Sequence, residues 1–177
     1  MQAAAGNICI VIPTYNNAGT ICDVAGRAVA QGYPVIVVND GSTDQTATLL
    51  EQSGLPLTVL NHPYNRGKGI ALRTALTYAR AQGFRYAITL DADGQHFPED
   101  IPLFVEALEQ HPGALIVGSR NLKQENMPGG NTFANKFSNF WFKIQTGINL
   151  PDTQTGYRLY PFHWLPNIFS ARYEAEL

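Results

Sequence analysis

The architecture of this chain can be worked out from one segment, Tyr86-Ala87-Ile88-Thr89-Leu90-Asp91-Ala92-Asp93-Gly94-Gln95-His96. The apolar run that ends at Leu90 predicts a buried strand. Two carboxylates, Asp91 and Asp93, follow that strand, and Gly94 allows the chain to turn so that both acids reach one ligand. Carboxylates suit hard cations such as Mg²⁺ and Mn²⁺, although an Asp-Gly pair is also typical of a solvated turn.

Strands and helices alternate outward from this segment. Continuous apolar runs predict strands at residues 7–12, 35–38, 57–60, 86–91 and 114–117. Helical spacing predicts helices at about 18–31, from a capping box at 42–45 to about 53, from 65–69 to 82, and from 98 onward. A further helical face, formed by Phe133, Phe137, Phe140, Trp141 and Ile144, follows a predicted loop at 121–131. The alternation predicts an α/β fold with a mostly parallel sheet in a single domain, residues 1–177.

The composition is that of a folded domain without a nucleic-acid partner. Of the 177 residues, 45% are apolar and 15% are charged, which excludes a disordered chain. The net charge of −2 predicts no basic surface for nucleic acid. The two cysteines, Cys9 and Cys22, lack metal-ligand spacing and are expected to be small buried residues in a reducing cytoplasm.

Four polar motifs follow four of the predicted strands. They are Pro13-Thr14-Tyr15-Asn16, Asn39-Asp40-Gly41-Ser42, Asp91-Ala92-Asp93 and Gly118-Ser119-Arg120. Because ligands of open α/β sheets bind at the carboxyl ends of the strands, these motifs predict one shared crevice.

The order of the motifs resembles that of a known enzyme family. Together with Asn65-Arg66-Gly67-Lys68-Gly69 and Asp152-Thr153-Gln154-Thr155-Gly156-Tyr157-Arg158, they are similar to the motifs of inverting family 2 glycosyltransferases. Within that family the chain resembles the dolichol/polyprenol-phosphate sugar synthases, over about residues 7–160. The resemblance implies the GT-A fold, which is a Rossmann-like, mostly parallel sheet flanked by helices.

The resemblance also implies an activity. It predicts a hexosyltransferase that uses a divalent metal, Mg or Mn, and inverts the sugar it transfers. The implied donor is a nucleotide diphosphate sugar, and the implied acceptor is a polyprenyl phosphate or a glycan. Residues 1–120 would bind the donor, and residues 121–177 would form the acceptor side.

Donor-binding roles come from matching motif positions. Tyr15 would stack on the nucleobase and Asp40 would accept its hydrogen bonds, although the two could instead be a packed turn residue and a helix cap. The family often has two acids where this chain has Asn39-Asp40, and we expect binding to survive that change. The implied donor-site residues are Pro13, Thr14, Tyr15, Asn16, Asp40, Arg66, Lys68, Asp91, Ala92 and Asp93, and the implied metal ligands are Asp91, Asp93 and Gln95.

The residues around Arg66 and Lys68, and the single residue His96, have expected roles that follow from their local sequence. Arg66 and Lys68 lie at a glycine-rich helix start, where free amides favour anions, so they are expected to contact the diphosphate unless they form a solvated basic loop. A lone histidine beside a turn, His96, is expected to be a hydrogen-bonded structural residue.

The candidate catalytic residues are Asp152, Arg120 and Arg158. The two guanidinium groups would bind phosphates of the donor or the acceptor. Asp152 would act as a base if the acceptor is a sugar hydroxyl, whereas a polyprenyl phosphate is already anionic and needs none. Asp152 would then orient the acceptor or Arg158, and its structural alternative is a turn residue after Pro151.

Other interpretations concern the whole protein. Family members usually continue past the position of Leu177, often with membrane-attachment segments. We therefore expect a truncated catalytic portion, associated with the cytoplasmic face of the membrane through segments beyond this chain. The alternatives are a non-catalytic nucleotide-binding fragment and a sugar-phosphate nucleotidyltransferase, although the segment from Pro13 to Asn16 replaces the glycine-rich loop of the latter enzymes.

Overall fold

A computed structural model describes residues 7–118 and 156–164 of the protein. Six strands lie in these residues: β1 (Ile8–Thr14), β2 (Val35–Asn39), β3 (Leu57–Asn61), β4 (Tyr86–Thr89), β5 (Ile116–Val117) and β6 (Arg158–Pro161). Four α-helices accompany them: α1 (Ile21–Val29), α2 (Thr46–Gln52), α3 (Lys68–Ala81) and α4 (Ile101–Gln110). Single 3₁₀ turns occupy Pro98–Asp100 and Phe162–Trp164. None of the helices in these two ranges has the length and apolarity needed to cross a membrane.

The strands form one mixed, mostly parallel sheet in the order β3-β2-β1-β4-β6-β5. Strand β1 pairs in parallel with β2 on one side and with β4 on the other, so that Ile10 lies between Val35 and Ile88. Strand β6 lies between β4 and β5 and runs antiparallel to both. The predicted α/β fold is confirmed, and the carboxyl ends of β1, β2 and β4 meet at one edge of the sheet.

The sheet is covered on both faces, which explains its continuous apolar runs. Side chains of β1 alternate between two hydrophobic clusters, because successive residues of a strand point to opposite faces. Ile8, Ile10 and Ile12 belong to the cluster that includes residues of α1 and α4. Cys9 and Val11 belong to the cluster under α3. All seven residues of β1 are buried, and the loops at the strand ends are therefore the places where polar groups can gather.

The predicted capping box at residues 42–45 is wrong. Helix α2 begins at Thr46, and the backbone N–H of Thr46 donates to Asp44 Oδ1 at 2.9 Å. The hydroxyl of Ser42 instead accepts the backbone N–H of Asn16 at 3.0 Å. The described hydrogen bond of the Ser42 hydroxyl is to the loop after β1, and the local sequence pattern does not reveal that competing partner.

Several predicted boundaries also differ from the structure. Strand β4 ends at Thr89 and not at residue 91, so Asp91 already lies beyond the strand. The first helix is shorter than residues 18–31, the fifth strand is shorter than 114–117, and Pro98 opens a 3₁₀ turn before α4. Strand β6 was not predicted, because its residues, Arg158-Leu159-Tyr160-Pro161, do not form a continuous apolar run. The predicted helical face at 133–144 lies outside the described residues.

Gly41 joins the end of β2 to the segment that follows β3. Its φ of +68° lies in the left-handed region, and a Cβ at this position would overlap the backbone of Tyr64 and Asn65. Only glycine can satisfy both the backbone conformation and the close approach of the two segments.

We expect Gly41→Ala to lower the free energy of unfolding by about 3 kcal/mol, since it adds steric overlap to left-handed strain. Gly54→Ala is the matched control, because Gly54 has a similar φ of +64° but a Cβ at that position would meet nothing within 4 Å. That control should cost only about 1 kcal/mol. Urea unfolding of both variants measures the difference, and equal losses would show that the contact with Tyr64 and Asn65 is unimportant.

Candidate functional site

A cavity of about 190 Å³ lies where the carboxyl ends of β1, β2 and β4 meet the start of α3. Tyr15 contributes an aromatic side chain that is 42% exposed. Three carboxylates and one ammonium group provide the charge of the cavity wall. The lining residues are Pro13, Thr14, Tyr15, Asp40, Lys68, Ala71, Asp91 and Asp93. All of these except Ala71 were predicted site residues, so three of the four motifs cluster as expected, whereas Ser119 and Arg120 of the fourth lie outside the described residues.

Asp40 is buried, with only 3% of its surface exposed, and its carboxylate is held by three donors. The ring nitrogen Nδ1 of His62 lies 2.6 Å from Asp40 Oδ1. The backbone N–H of Arg66 donates to both carboxylate oxygens, at 3.0 and 3.2 Å, and that of Gly67 donates to Oδ2 at 2.8 Å. Asp40 therefore joins the end of β2 to the end of β3 and to the residues that precede α3.

These contacts change the prediction for the glycine-rich segment. The sequence indicated that free amides at the start of α3 would attract a diphosphate, but the amides of Arg66 and Gly67 already donate to Asp40. The amide of Gly67 is also bound by Asn65 Oδ1 at 2.8 Å. Lys68 remains as the positive group of this segment on the cavity wall, whereas Arg66 is not among the lining residues.

Asp91 is fixed from three directions. Its carboxylate Oδ1 lies 2.5 Å from Lys68 Nζ. Its backbone N–H donates to Nδ1 of the buried His96 at 3.0 Å, so this histidine has the structural hydrogen bond that was expected of it. On the third side, a Cβ on Gly156 would overlap the Asp91 carboxylate. Gly156 is itself held by the hydroxyl of Thr89, which donates to its carbonyl oxygen at 2.7 Å.

Asp93 is exposed, and its Oδ1 accepts the backbone N–H of Gln95 at 2.9 Å. The turn continues through Gly94, whose φ of +79° agrees with the predicted change of chain direction. Gln95, which was expected to complete the metal shell, is exposed and does not line the cavity.

Two of the three cavity carboxylates, those of Asp91 and Asp93, fit the implied divalent cation. The described parts of the chain contain no group of three or more His, Cys, Asp or Glu side chains that could hold a metal. Mg²⁺ is commonly bound by one or two carboxylates together with substrate phosphates and water, so a complete protein cage is not needed. Asp91 and Asp93 would supply that pair of hard oxygen ligands.

Three residues of the predicted donor motifs contact protein groups away from the cavity. Asn16 has a φ of 54°, and its Oδ1 accepts the backbone N–H of Thr43 at 2.8 Å, so it joins the loops after β1 and β2. Asn39, where the resemblance led us to expect an acid, donates to Asn61 Oδ1 at 3.0 Å. The carbonyl oxygen of the buried Ala92 accepts the hydroxyl of Thr20.

The candidate catalytic residues are only partly described. Arg158 lies in β6 opposite Thr89 and Val117, and its Nη1 lies 3.5 Å from the hydroxyl of Tyr160. It does not line the cavity. Asp152 and Arg120 lie outside the described residues. The contact between Gly156 and Asp91 nevertheless places the end of the segment from Asp152 to Arg158 beside the cavity.

Sequence reasoning missed His62 and Thr74. His62 follows the last residue of β3, and its Nε2 lies 3.0 Å from the hydroxyl of Thr74 on α3. One signal was available, because His62 is a polar residue at the carboxyl end of a strand, as are the four motifs that were identified.

Arg27 and Tyr157 form hydrogen bonds to the segment that follows Asp93. Arg27 on α1 makes two hydrogen bonds to Glu99, from Nε to Oε1 at 2.8 Å and from Nη2 to Oε2 at 2.6 Å. This pairing lowers the pKa of Glu99 to about 2. The hydroxyl of Tyr157 donates to the carbonyl oxygen of Phe97 at 2.9 Å, and burial raises the pKa of Tyr157 above its usual value.

The chain is similar to proteins of one family along most of its length. A family model described as "Glycosyl transferase family 2" matches residues 9–169. The UDP-N-acetylglucosamine–dolichyl-phosphate N-acetylglucosaminyltransferase of Methanococcus voltae is 30% identical, over 86% of this chain and 68% of that protein. The polyprenol monophosphomannose synthase of Mycolicibacterium smegmatis is 29% identical, over 85% of this chain and 60% of that protein.

A solved structure supports the fold. Glucosyl-3-phosphoglycerate synthase from Mycobacterium tuberculosis, in complex with Mn²⁺, UDP-glucose and phosphoglyceric acid, aligns with a TM-score of 0.71. The alignment covers 93% of this chain and 60% of that chain, at 21% identity. At this identity the likeness shows a shared fold and nothing finer.

The pairing of Arg27 with Glu99 predicts a pH-dependent contribution to stability. Because folding lowers the Glu99 pKa from its ordinary 4.5, the contribution is complete above pH 4.5 and is lost as the pH falls towards 2. Glu99→Gln should therefore lower the melting temperature slightly at pH 7 and not at pH 2. Glu106→Gln, at an exposed position of α4 without a described ion-pair partner, is the control. A pH-independent difference between wild type and Glu99→Gln would contradict this assignment.

Proposed function

The chain belongs to glycosyl transferase family 2, and from this membership we propose that it transfers a sugar from a nucleotide diphosphate sugar to a polyprenyl phosphate. The transfer inverts the anomeric carbon and requires Mg²⁺ or Mn²⁺. The observation that carries the proposal is the cavity that gathers Tyr15, Asp40, Lys68, Asp91 and Asp93 at the carboxyl edge of the sheet.

The nucleobase end of the donor lies against Tyr15 and Asp40. Tyr15 offers an exposed ring for stacking, and Asp40 offers carboxylate oxygens to the N–H groups of a base. The name of a similar protein supports this class of donor, because the Methanococcus voltae relative is named for UDP-N-acetylglucosamine.

The diphosphate end of the donor lies between Lys68 and the pair Asp91 and Asp93. Asp91 and Asp93 would hold a Mg²⁺ or Mn²⁺ ion in the cavity, and the ion would supply positive charge beside the departing diphosphate. His96 keeps the backbone of Asp91 in place. Lys68 exchanges its contact with Asp91 for one with a phosphate oxygen, since both partners are anionic.

The acceptor attacks the anomeric carbon from the side opposite the diphosphate. A polyprenyl phosphate is already anionic and needs no general base, so Asp152 orients the acceptor or Arg158 in this reaction. Arg120 and Arg158 bind phosphate oxygens. An acceptor with a lipid tail lies at a membrane surface, and we place the reaction at its cytoplasmic face.

Metal-dependent donor binding tests the donor half of the proposal. Calorimetry with UDP-sugars and GDP-sugars should show tighter binding in Mn²⁺ than in a chelator. We expect Asp93→Asn to weaken binding in Mn²⁺ by about tenfold, since one anionic metal ligand is lost. Asp23→Asn, which removes an exposed carboxylate of α1, should leave the affinity unchanged. Equal affinities of wild type and Asp93→Asn in Mn²⁺ would rule out the assigned metal role.

A transfer assay tests the acceptor half. Labelled sugar from the donor that binds should appear on a short polyprenyl phosphate, and the product should be recovered in an organic extract. The matched control is the polyprenol without its phosphate, which should remain unlabelled because a neutral hydroxyl would need a base. Labelling of a glycan in place of the lipid would contradict the proposed acceptor.

A further inference from the structure

We infer that His62 is a positioning residue that holds the Asp40 carboxylate in place for the nucleobase. The inference rests on the proposed function, because Asp40 is assigned to the nucleobase only there. His62 is linked to the cavity by its contact with Asp40 and is not itself a lining residue.

The His62 ring is held at both nitrogens. Nδ1 lies 2.6 Å from Asp40 Oδ1, and Nε2 lies 3.0 Å from the hydroxyl of Thr74. The backbone N–H of His62 donates to the carbonyl oxygen of Asn39 at 2.9 Å. The side chains of His62 and Asp40 are 7% and 4% exposed, so water does not compete for this contact. The ring therefore has one orientation, and it is directed at the carboxylate.

The contact with His62 affects how many further hydrogen bonds the Asp40 carboxylate can accept. An ionised carboxylate has about four acceptor positions. The ring of His62 and the amides of Arg66 and Gly67 are three donors, and the Arg66 N–H is shared between the two oxygens, so at most one position remains for a base N–H. The carboxylate must accept from Nδ1–H of His62, whether the ring is neutral or protonated, because an ionised carboxylate cannot donate. Loss of this donor would leave Oδ1 with the Arg66 amide only, and the carboxylate could rotate away from the base.

Two substitutions of His62 distinguish the role of Nδ1 from the role of Nε2. Asparagine places an amide NH₂ near the position of Nδ1, so His62→Asn keeps a donor to Asp40 and loses the contact with Thr74. Glutamine places its amide near the position of Nε2, so His62→Gln keeps a partner for Thr74 and loses the donor to Asp40. Thr74→Val removes the Thr74 contact and leaves the His62 ring in place.

The experiment is calorimetry of the full chain with UDP and with GDP in Mn²⁺, together with melting temperatures. For the nucleotide that wild type binds, His62→Gln should weaken binding by about tenfold, which is the effect of one lost hydrogen bond to a charged group. His62→Asn and Thr74→Val should stay within about threefold of wild type, since the donor to Asp40 remains in both. A residue with a purely structural role would lower the melting temperature without separating asparagine from glutamine.

Two results would overturn the inference. One is binding by His62→Gln within about twofold of wild type, and the other is an equal loss of affinity in His62→Asn and His62→Gln. If wild type binds neither nucleotide, the proposed function fails and the inference fails with it. If wild type binds and the two variants do not differ, only the role of His62 is wrong.

Discussion

The arrangement of the candidate site depends on the buried carboxylate of Asp40. A charge that leaves water is costly to bury unless hydrogen bonds replace its hydration. Here the replacement comes from the ring of His62 and the backbone amides of Arg66 and Gly67. These donors belong to the end of β3 and to the residues before α3. One carboxylate therefore holds three separate parts of the chain at fixed distances.

This constraint also determines how the two ends of the cavity are related. Lys68 follows Gly67 directly, so the hydrogen bond from Gly67 to Asp40 positions the first residue of α3. Lys68 then contacts Asp91 on the opposite wall. Asp91 is supported in turn by His96 and by the close approach of Gly156. A continuous set of contacts thus links the wall assigned to the nucleobase with the wall assigned to the cation.

The parallel sheet explains why polar groups gather at this edge. Both faces of β1 are buried under helices, so the core accepts apolar side chains on either side. Polar side chains are left to the loops, and the carboxyl ends of β1, β2 and β4 bring three loops together. Strand β6 brings a fourth segment, because its antiparallel pairing with β4 places Gly156 next to Asp91.

The sequence by itself determined the order of the four helices and of strands β1 to β5, the α/β class and the family, which the match to residues 9–169 confirms. These conclusions follow from apolar spacing and from motifs that neighbouring residues form. Only the tertiary structure decided that the amides of Arg66 and Gly67 donate to Asp40, that Asn16 joins two loops and that β6 lies between β4 and β5. Such contacts join residues that are distant in the sequence: His62 and Asp40 are 22 positions apart, and Thr89 and Gly156 are 67 positions apart. A local pattern specifies what each residue can donate or accept, whereas the fold decides which partner reaches it first.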